Sequence, residues 1–182
     1  MKQAILLLGA LLVCPHAALA QKNNLDLKSQ AAIVFNPHDA RIIYDKNADK
    51  VMPIASITKL MTAMVTLDAR LSPHERITIT QADVDMLKRT SSRLPIGSTY
   101  PRHELLRLAL MSSENRAAAA LGRTYPGGIT AFIKAMNQKA KKIGMSNSRF
   151  VDSTGLNSDN VATARDLAKL VTASNKYAVI RE

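Results

Sequence analysis

The chain has 182 residues, 47% of them hydrophobic and 21% charged, which is enough apolar material for one domain with its own core and excludes a disordered tail. Trp is absent, aromatic residues make up 4%, and Gly and Pro number 7 each, so neither a collagen-like chain nor an aromatic stacking platform fits. Lys and Arg outnumber Asp and Glu by 25 to 14, and the resulting charge of +11 favours an anionic partner without naming it.

The first twenty residues have the composition of a secretory signal peptide. Lys2 precedes an apolar stretch from Ala4 to Val13, and Ala18-Leu19-Ala20 forms a small-residue exit with cleavage expected before Gln21. Pro15-His16 interrupts the apolar run well short of the roughly 20 residues that a membrane span needs, so no permanent span is expected. The only cysteine, Cys14, lies inside this segment, and a lipoprotein site is disfavoured by Val13 before it. The expected mature domain, 21–182, therefore has no cysteine and is held by packing alone. Export places it in the periplasm and makes an anionic wall polymer, not nucleic acid, its expected partner. Many of its lysines have a plainer role. Lys134, Lys139, Lys141 and Lys142 ride the polar side of a helix whose apolar side is Ile129, Phe132, Ile133, Met136, Ala140 and Ile143.

Residues 31–46 read as a hairpin, with apolar residues 31–35, a turn at Asn36-Pro37-His38-Asp39 and a return through Arg41-Ile42-Ile43-Tyr44. From Ser56 the pattern turns helical, with Ile57, Leu60, Met61, Met64 and Val65 on one face and Ala63 and Leu67 on the other, as befits a central helix. A polar connecting region without predicted elements runs from about Leu71 to Pro101. Helices follow over Glu104–Leu110, Asn115–Leu121 and Ile129–Ile143, the last stopped by Gly144. A loop at Val151–Asn160 precedes a final helix over Thr163–Leu170. The expected class is α+β.

Two short patterns carry chemistry. Ser56-Ile57-Thr58-Lys59 sets a hydroxyl and an amine three residues apart at the start of a buried helix, so both project from one side of a turn. A lysine in a dry site loses proton affinity, and its neutral amine can activate the serine as a nucleophile. Ser113-Glu114-Asn115 places a hydroxyl and a carboxamide at a break between helices, where they can line a cleft wall. Simpler roles remain open on these residues alone: Ser56 as a helix cap with Lys59 solvated, and Asn115 as the cap of the Ala-rich helix. Against the first, the third position of a capping box wants Glu or Gln and here holds a cation, on a helix with little polar face. Ser158-Asp159-Asn160 repeats the second pattern in a polar loop, where context makes it the weaker candidate.

The two patterns resemble the first motifs of penicillin-binding proteins and serine β-lactamases. Three stretches, Val51 to Ala63, Leu110 to Ala118 and Phe150 to Leu156, more closely resemble the low-molecular-weight D-alanyl-D-alanine peptidases of the S11 type, and the likeness runs from about Ala31 to Lys169. Ser113-Glu114-Asn115-Arg116-Ala117-Ala118 with Tyr125-Pro126-Gly127-Gly128 is most similar to the endopeptidase branch. The resemblance implies a penicillin-binding-protein fold, of which this chain carries the N-terminal hairpin of the sheet and the helical subdomain. It implies a serine acyl-transfer enzyme on peptidoglycan peptides, acylated in turn by β-lactams and needing no metal or cofactor. In it Ser56 would be the nucleophile, Lys59 the general base, Ser113 a proton relay and Asn115 a hydrogen-bond partner of the substrate amide. The family's third motif, Lys-Thr/Ser-Gly, is absent. Ser153-Thr154-Gly155 is the nearest text, but Asp152 stands where the lysine belongs and the stretch lies in a loop, so it is a decoy of that motif. Residue 182 comes before the family's later strands, so a truncated member, inactive or poorly folded by itself, is expected. The alternative is a non-catalytic envelope protein that holds anionic glycan or peptide through its charge.

Overall fold

The structure is a computed structural model that describes residues 25–39 and 41–181. The expected signal peptide and Cys14 lie outside the described residues. Strands β1 (Ala32–Phe35) and β2 (Ile42–Lys46) form the expected antiparallel hairpin, with Ala32 opposite Lys46 and an irregularity between Val34 and Phe35. Two strands cover little, and Val34, Ile42 and Ile43 stay 43% or more exposed.

The chain then passes through β3 (Met52–Pro53) and a single 3₁₀ turn at Ala55–Ile57 into helix α1 (Thr58–Asp68). Apolar residues on every side of α1 do what their distribution requires. Met61, Met64 and Val65 pack with Phe132, Met136, Phe150 and Leu170 in one cluster, while Ala63 belongs to a second cluster with Ile77, Ile79, Leu105, Leu106 and Leu121. Met61 and Met64 are fully buried, and each such side chain contributes about 1.5–3 kcal/mol relative to leaving it in water. This helix is the axis between two cores and a stiff platform for whatever stands at its N-terminus.

The connecting region is more ordered than its sequence suggested. β4 (Arg76–Thr78) pairs antiparallel with β5 (Thr99–Pro101), Ile77 opposite Tyr100, and a 3₁₀ turn at Gln81–Asp83 follows β4. Strands of three residues have too few alternating positions to show a period, which is why the sequence reads as a loop. Helices α2 (Arg102–Met111), α3 (Asn115–Arg123) and α4 (Gly128–Lys142) come next. Gly144, at φ +80°, stops α4 as expected. Lys134, Lys141 and Lys142 are exposed, as a solvated face requires. Lys139 departs from that reading: its ammonium bonds Asp68 at 2.8 Å and the Tyr177 hydroxyl at 2.7 Å, tying α4 to the end of α1.

Strand β6 (Val161–Ala162) pairs antiparallel with β3, and α5 (Ala164–Ser174) and α6 (Ala178–Arg181) close the described chain. This small pairing matters to the site. It returns the 150–160 loop to the base of α1, where the Ile54 amide donates to the Asn160 carbonyl at 3.0 Å.

Candidate active site

Ser56 stands in the 3₁₀ turn rather than in α1 itself, directly after Ala55, whose φ of 45° lies in the left-handed region that side chains avoid. The kink leaves Ser56 exposed at the head of the platform while Lys59, one turn on, is only 2% exposed. Ser113, between α2 and α3, has the same unfavourable sign of φ at 52°. Such strain, of order 1–3 kcal/mol per residue, persists only where surrounding packing fixes the backbone.

Folding brings the four candidates together. The Lys59 ammonium lies 3.0 Å from Ser56 Oγ, 3.3 Å from Ser113 Oγ and 2.8 Å from Asn115 Oδ1, and the Ser113 hydroxyl donates to Ser56 Oγ at 2.9 Å. Neither of the simpler roles is realised. No side-chain bond caps α1 or the turn before it. The cap of α3 is Glu114, whose carboxylate accepts from the Arg116 and Ala117 amides, so Asn115 is free to face Lys59.

A fifth contact brings the 150–160 loop to the site. Lys59 Nζ also donates to the Thr154 carbonyl at 2.9 Å, and Thr62 Oγ1 donates to the Ser153 carbonyl at 2.7 Å. Ser153-Thr154-Gly155 is thus a wall of the site, through backbone atoms and not as a lysine motif. Asp152 shapes this loop by accepting from the amides of Thr154, Gly155 and Asn157. Asn160, fully buried, accepts from the Val151 amide and donates to the Asn157 carbonyl. Of the competing Ser158-Asp159-Asn160 pattern, the buried Asn160 amide serves the loop's own fold, and Asp159 pairs with Arg149 at the surface. At Gly155, φ is +82° and an added Cβ would sit 1.9 Å from the Ala55 carbonyl oxygen, so only glycine allows the loop to close on the kink beneath Ser56. The signal in the sequence was Asp152 ahead of Thr154 and Gly155, a side chain able to cap the following amides.

The electrostatics follow from this packing. Burial lowers the Lys59 amine to about 8, while Asp152 and Glu114 pull in the opposite direction. Once neutral, the amine has two N–H groups and one lone pair. The Thr154 carbonyl and Asn115 Oδ1 can only accept, so they take the two N–H groups and leave the lone pair to the serine hydroxyls. The arrangement can therefore remove a proton from Ser56 near neutral pH.

Clefts flank the group. One of about 420 Å³ is lined by Ser91, Ser92, Arg93 and residues 112–115, and another of about 250 Å³ by Asp85, Met86, Leu87, Asn115, Thr154 and Leu156 among others. Among the described residues no cluster of three or more His, Cys, Asp or Glu could hold a metal ion, and no helix is long and apolar enough to cross a membrane.

Comparison with known proteins supplies context for this geometry. The model of the peptidase S11 family, D-alanyl-D-alanine carboxypeptidase, matches residues 17–182. A D-alanyl-D-alanine endopeptidase of Escherichia coli is 49% identical over 168 residues, which are 92% of this chain and 54% of the relative. Among solved structures, penicillin-binding protein D2 of Listeria monocytogenes with ampicillin bound superposes with a TM-score of 0.71 at 38% identity, over 84% of this chain and 64% of that one. The Streptomyces K15 DD-transpeptidase superposes with a TM-score of 0.78 at 29% identity, over 84% and 63%. The chain spans about half the length of the curated relatives it matches. The architecture is that of penicillin-binding proteins, as the sequence resemblance implied.

Proposed function

Because the chain belongs to the D-alanyl-D-alanine carboxypeptidase family, peptidase S11, we propose that the protein is a serine peptidase of peptidoglycan remodelling that cleaves D-alanyl bonds through an acyl-enzyme at Ser56. The observation that carries this reading is the buried Lys59 amine, 3.0 Å from Ser56 Oγ and depressed to about 8. In the proposed cycle, neutral Lys59 takes the Ser56 proton as Oγ attacks the carbonyl carbon of the D-alanyl bond. That proton passes through Ser113, 3.3 Å from Lys59 Nζ, to the leaving amine as the C–N bond breaks. Asn115 holds the substrate amide. Water then attacks the ester, delivers a carboxylic acid and returns the proton to Ser56. A β-lactam would enter the first half of this cycle and remain as a penicilloyl ester.

Residues 1–20 are read as the export signal that delivers the enzyme to the periplasm, where peptidoglycan peptides are its substrates. The 49% identity to a protein named an endopeptidase favours cross-link cleavage over trimming of free ends.

The test is the intact mass of the protein isolated from its own cells, before and after benzylpenicillin, with Ser56→Ala alongside. One penicilloyl group on the wild type and none on the variant is expected. No adduct on the wild type would overturn the reading and leave the non-catalytic, charge-driven binder. The acylation rate should rise about tenfold per pH unit below the Lys59 value of about 8 and level off above it, since only the neutral amine takes the proton.

A further inference from the structure

The loop at 84–94 is fastened to α3 at several points. Before it, Asp83 is buried and meets Arg123 through both carboxylate oxygens at 2.8 and 2.9 Å. After its tip, Ser92 Oγ donates to Glu114, and the Arg116 guanidinium donates to the Leu94 carbonyl at 2.6 Å. Within it, Asp85 gathers the Leu87, Lys88 and Thr90 amides and the Thr90 hydroxyl, a closure made possible by Arg89 at φ 52°. Burial opposes ionisation of the Asp85 carboxyl, but these donors outweigh it and hold the group at about 2, so it only accepts.

The directions of these bonds are forced. Thr90 Oγ1 lies 2.8 Å from Asp85 Oδ2, and a carboxylate has no proton to give, so the hydroxyl proton points at Asp85. Toward Asn115, 2.9 Å away, Thr90 can then only accept. The carboxamide must turn its Nδ2 to Thr90, which turns its Oδ1 to Lys59 at 2.8 Å. We propose that Thr90, with its proton committed to Asp85, is a positioning residue that fixes the amide orientation of Asn115 and thereby aims the Lys59 lone pair at Ser56. Without this relay the amide can flip, and Nδ2–H competes with the serine for that lone pair.

The inference rests on the peptidase reading, and benzylpenicillin acylation of the full-length protein tests the two separately. If the wild type is not acylated, the peptidase reading falls; if it is, Thr90→Val, Asp85→Asn and Thr90→Ser test the relay. Thr90→Val keeps shape but removes the hydroxyl, and acylation is expected to slow roughly tenfold, the effect of one lost hydrogen bond. Asp85→Asn, nearly isosteric, is expected to slow it similarly, and Thr90→Ser to restore it. The pH profile separates positioning from loosened packing. Lys59 is acted on by Asp152 and Glu114, which these variants leave in place. A flipped amide takes an acceptor from the ammonium, so the acid limb should move to lower pH. A loop that merely admits water would move it up toward the ordinary lysine value. Wild-type rates in Thr90→Val, or slow acylation with the limb unmoved or moved upward, overturn the proposal. Should Thr90→Val fail to fold, Asp85→Asn carries the same outcomes.

Discussion

Both loops turn on a carboxylate of their own, Asp152 in 150–160 and Asp85 in 84–94, but the first is pinned from outside largely through its backbone, by Thr62 and Asn137, whereas the second is fastened to the head of α3 by the side chains of Glu114, Asn115 and Arg116. The first offers Lys59 a backbone carbonyl, an acceptor that no substitution of Thr154 removes. The second reaches Lys59 through two side chains in series, each replaceable. One acceptor of the amine is therefore fixed by fold closure and the other by a chain of hydroxyl and amide orientations. A site with both has a rigid floor and an adjustable side.

That contrast can be broken from either loop. The largest effect is expected from Gly155→Ala, which combines a left-handed backbone with overlap on the Ala55 carbonyl and should cost upwards of about 3 kcal/mol. Urea unfolding would measure it, and benzylpenicillin acylation should be lost with it, because the kink beneath Ser56 is displaced. Next comes Arg123→Met, which leaves the Asp83 carboxylate buried without its cation and should cost about 3 kcal/mol or somewhat less, since Arg123 is partly exposed. Hydrogen exchange sharpens the comparison here: amides of 84–94 should lose protection while those of 150–157 keep theirs, the reverse of the Gly155→Ala pattern. The smallest is Ser92→Ala, which deletes one bond to Glu114 and one to the Leu94 amide and should cost about 1 kcal/mol in the same unfolding measurement. Equal loss of protection in both loops for either of the first two variants would show that the loops open as one unit.

How much of this was readable depended on the reach of each signal. α1 was legible because apolar residues on all its faces leave only a central position, and the break before α3 because an apolar helix ends at Met111 and an Ala-rich one begins at Asn115. Ser56, Lys59, Ser113 and Asn115 were legible as chemistry, since a hydroxyl, an amine and a carboxamide keep their functions wherever they stand. The pairing of β4 with β5 was not, because its partners are short and far apart in the chain. Thr90 was hidden for a related reason: an exposed threonine in a polar loop has no sequence mark until Asp85 and Asn115 meet it.

By itself the sequence determined the first hairpin, the long helices and the reactive groups, because periodicity, capping and functional groups are local properties of neighbouring residues. Tertiary structure alone decided the state of Lys59, and with it the chemistry. Its depressed proton affinity comes from burial between α1, α3 and the 150–160 loop, and its lone pair is aimed by an acceptor from each of two distant segments. A backbone carbonyl is the same in every residue, so nothing in the letters at 154 could announce that it would close the site.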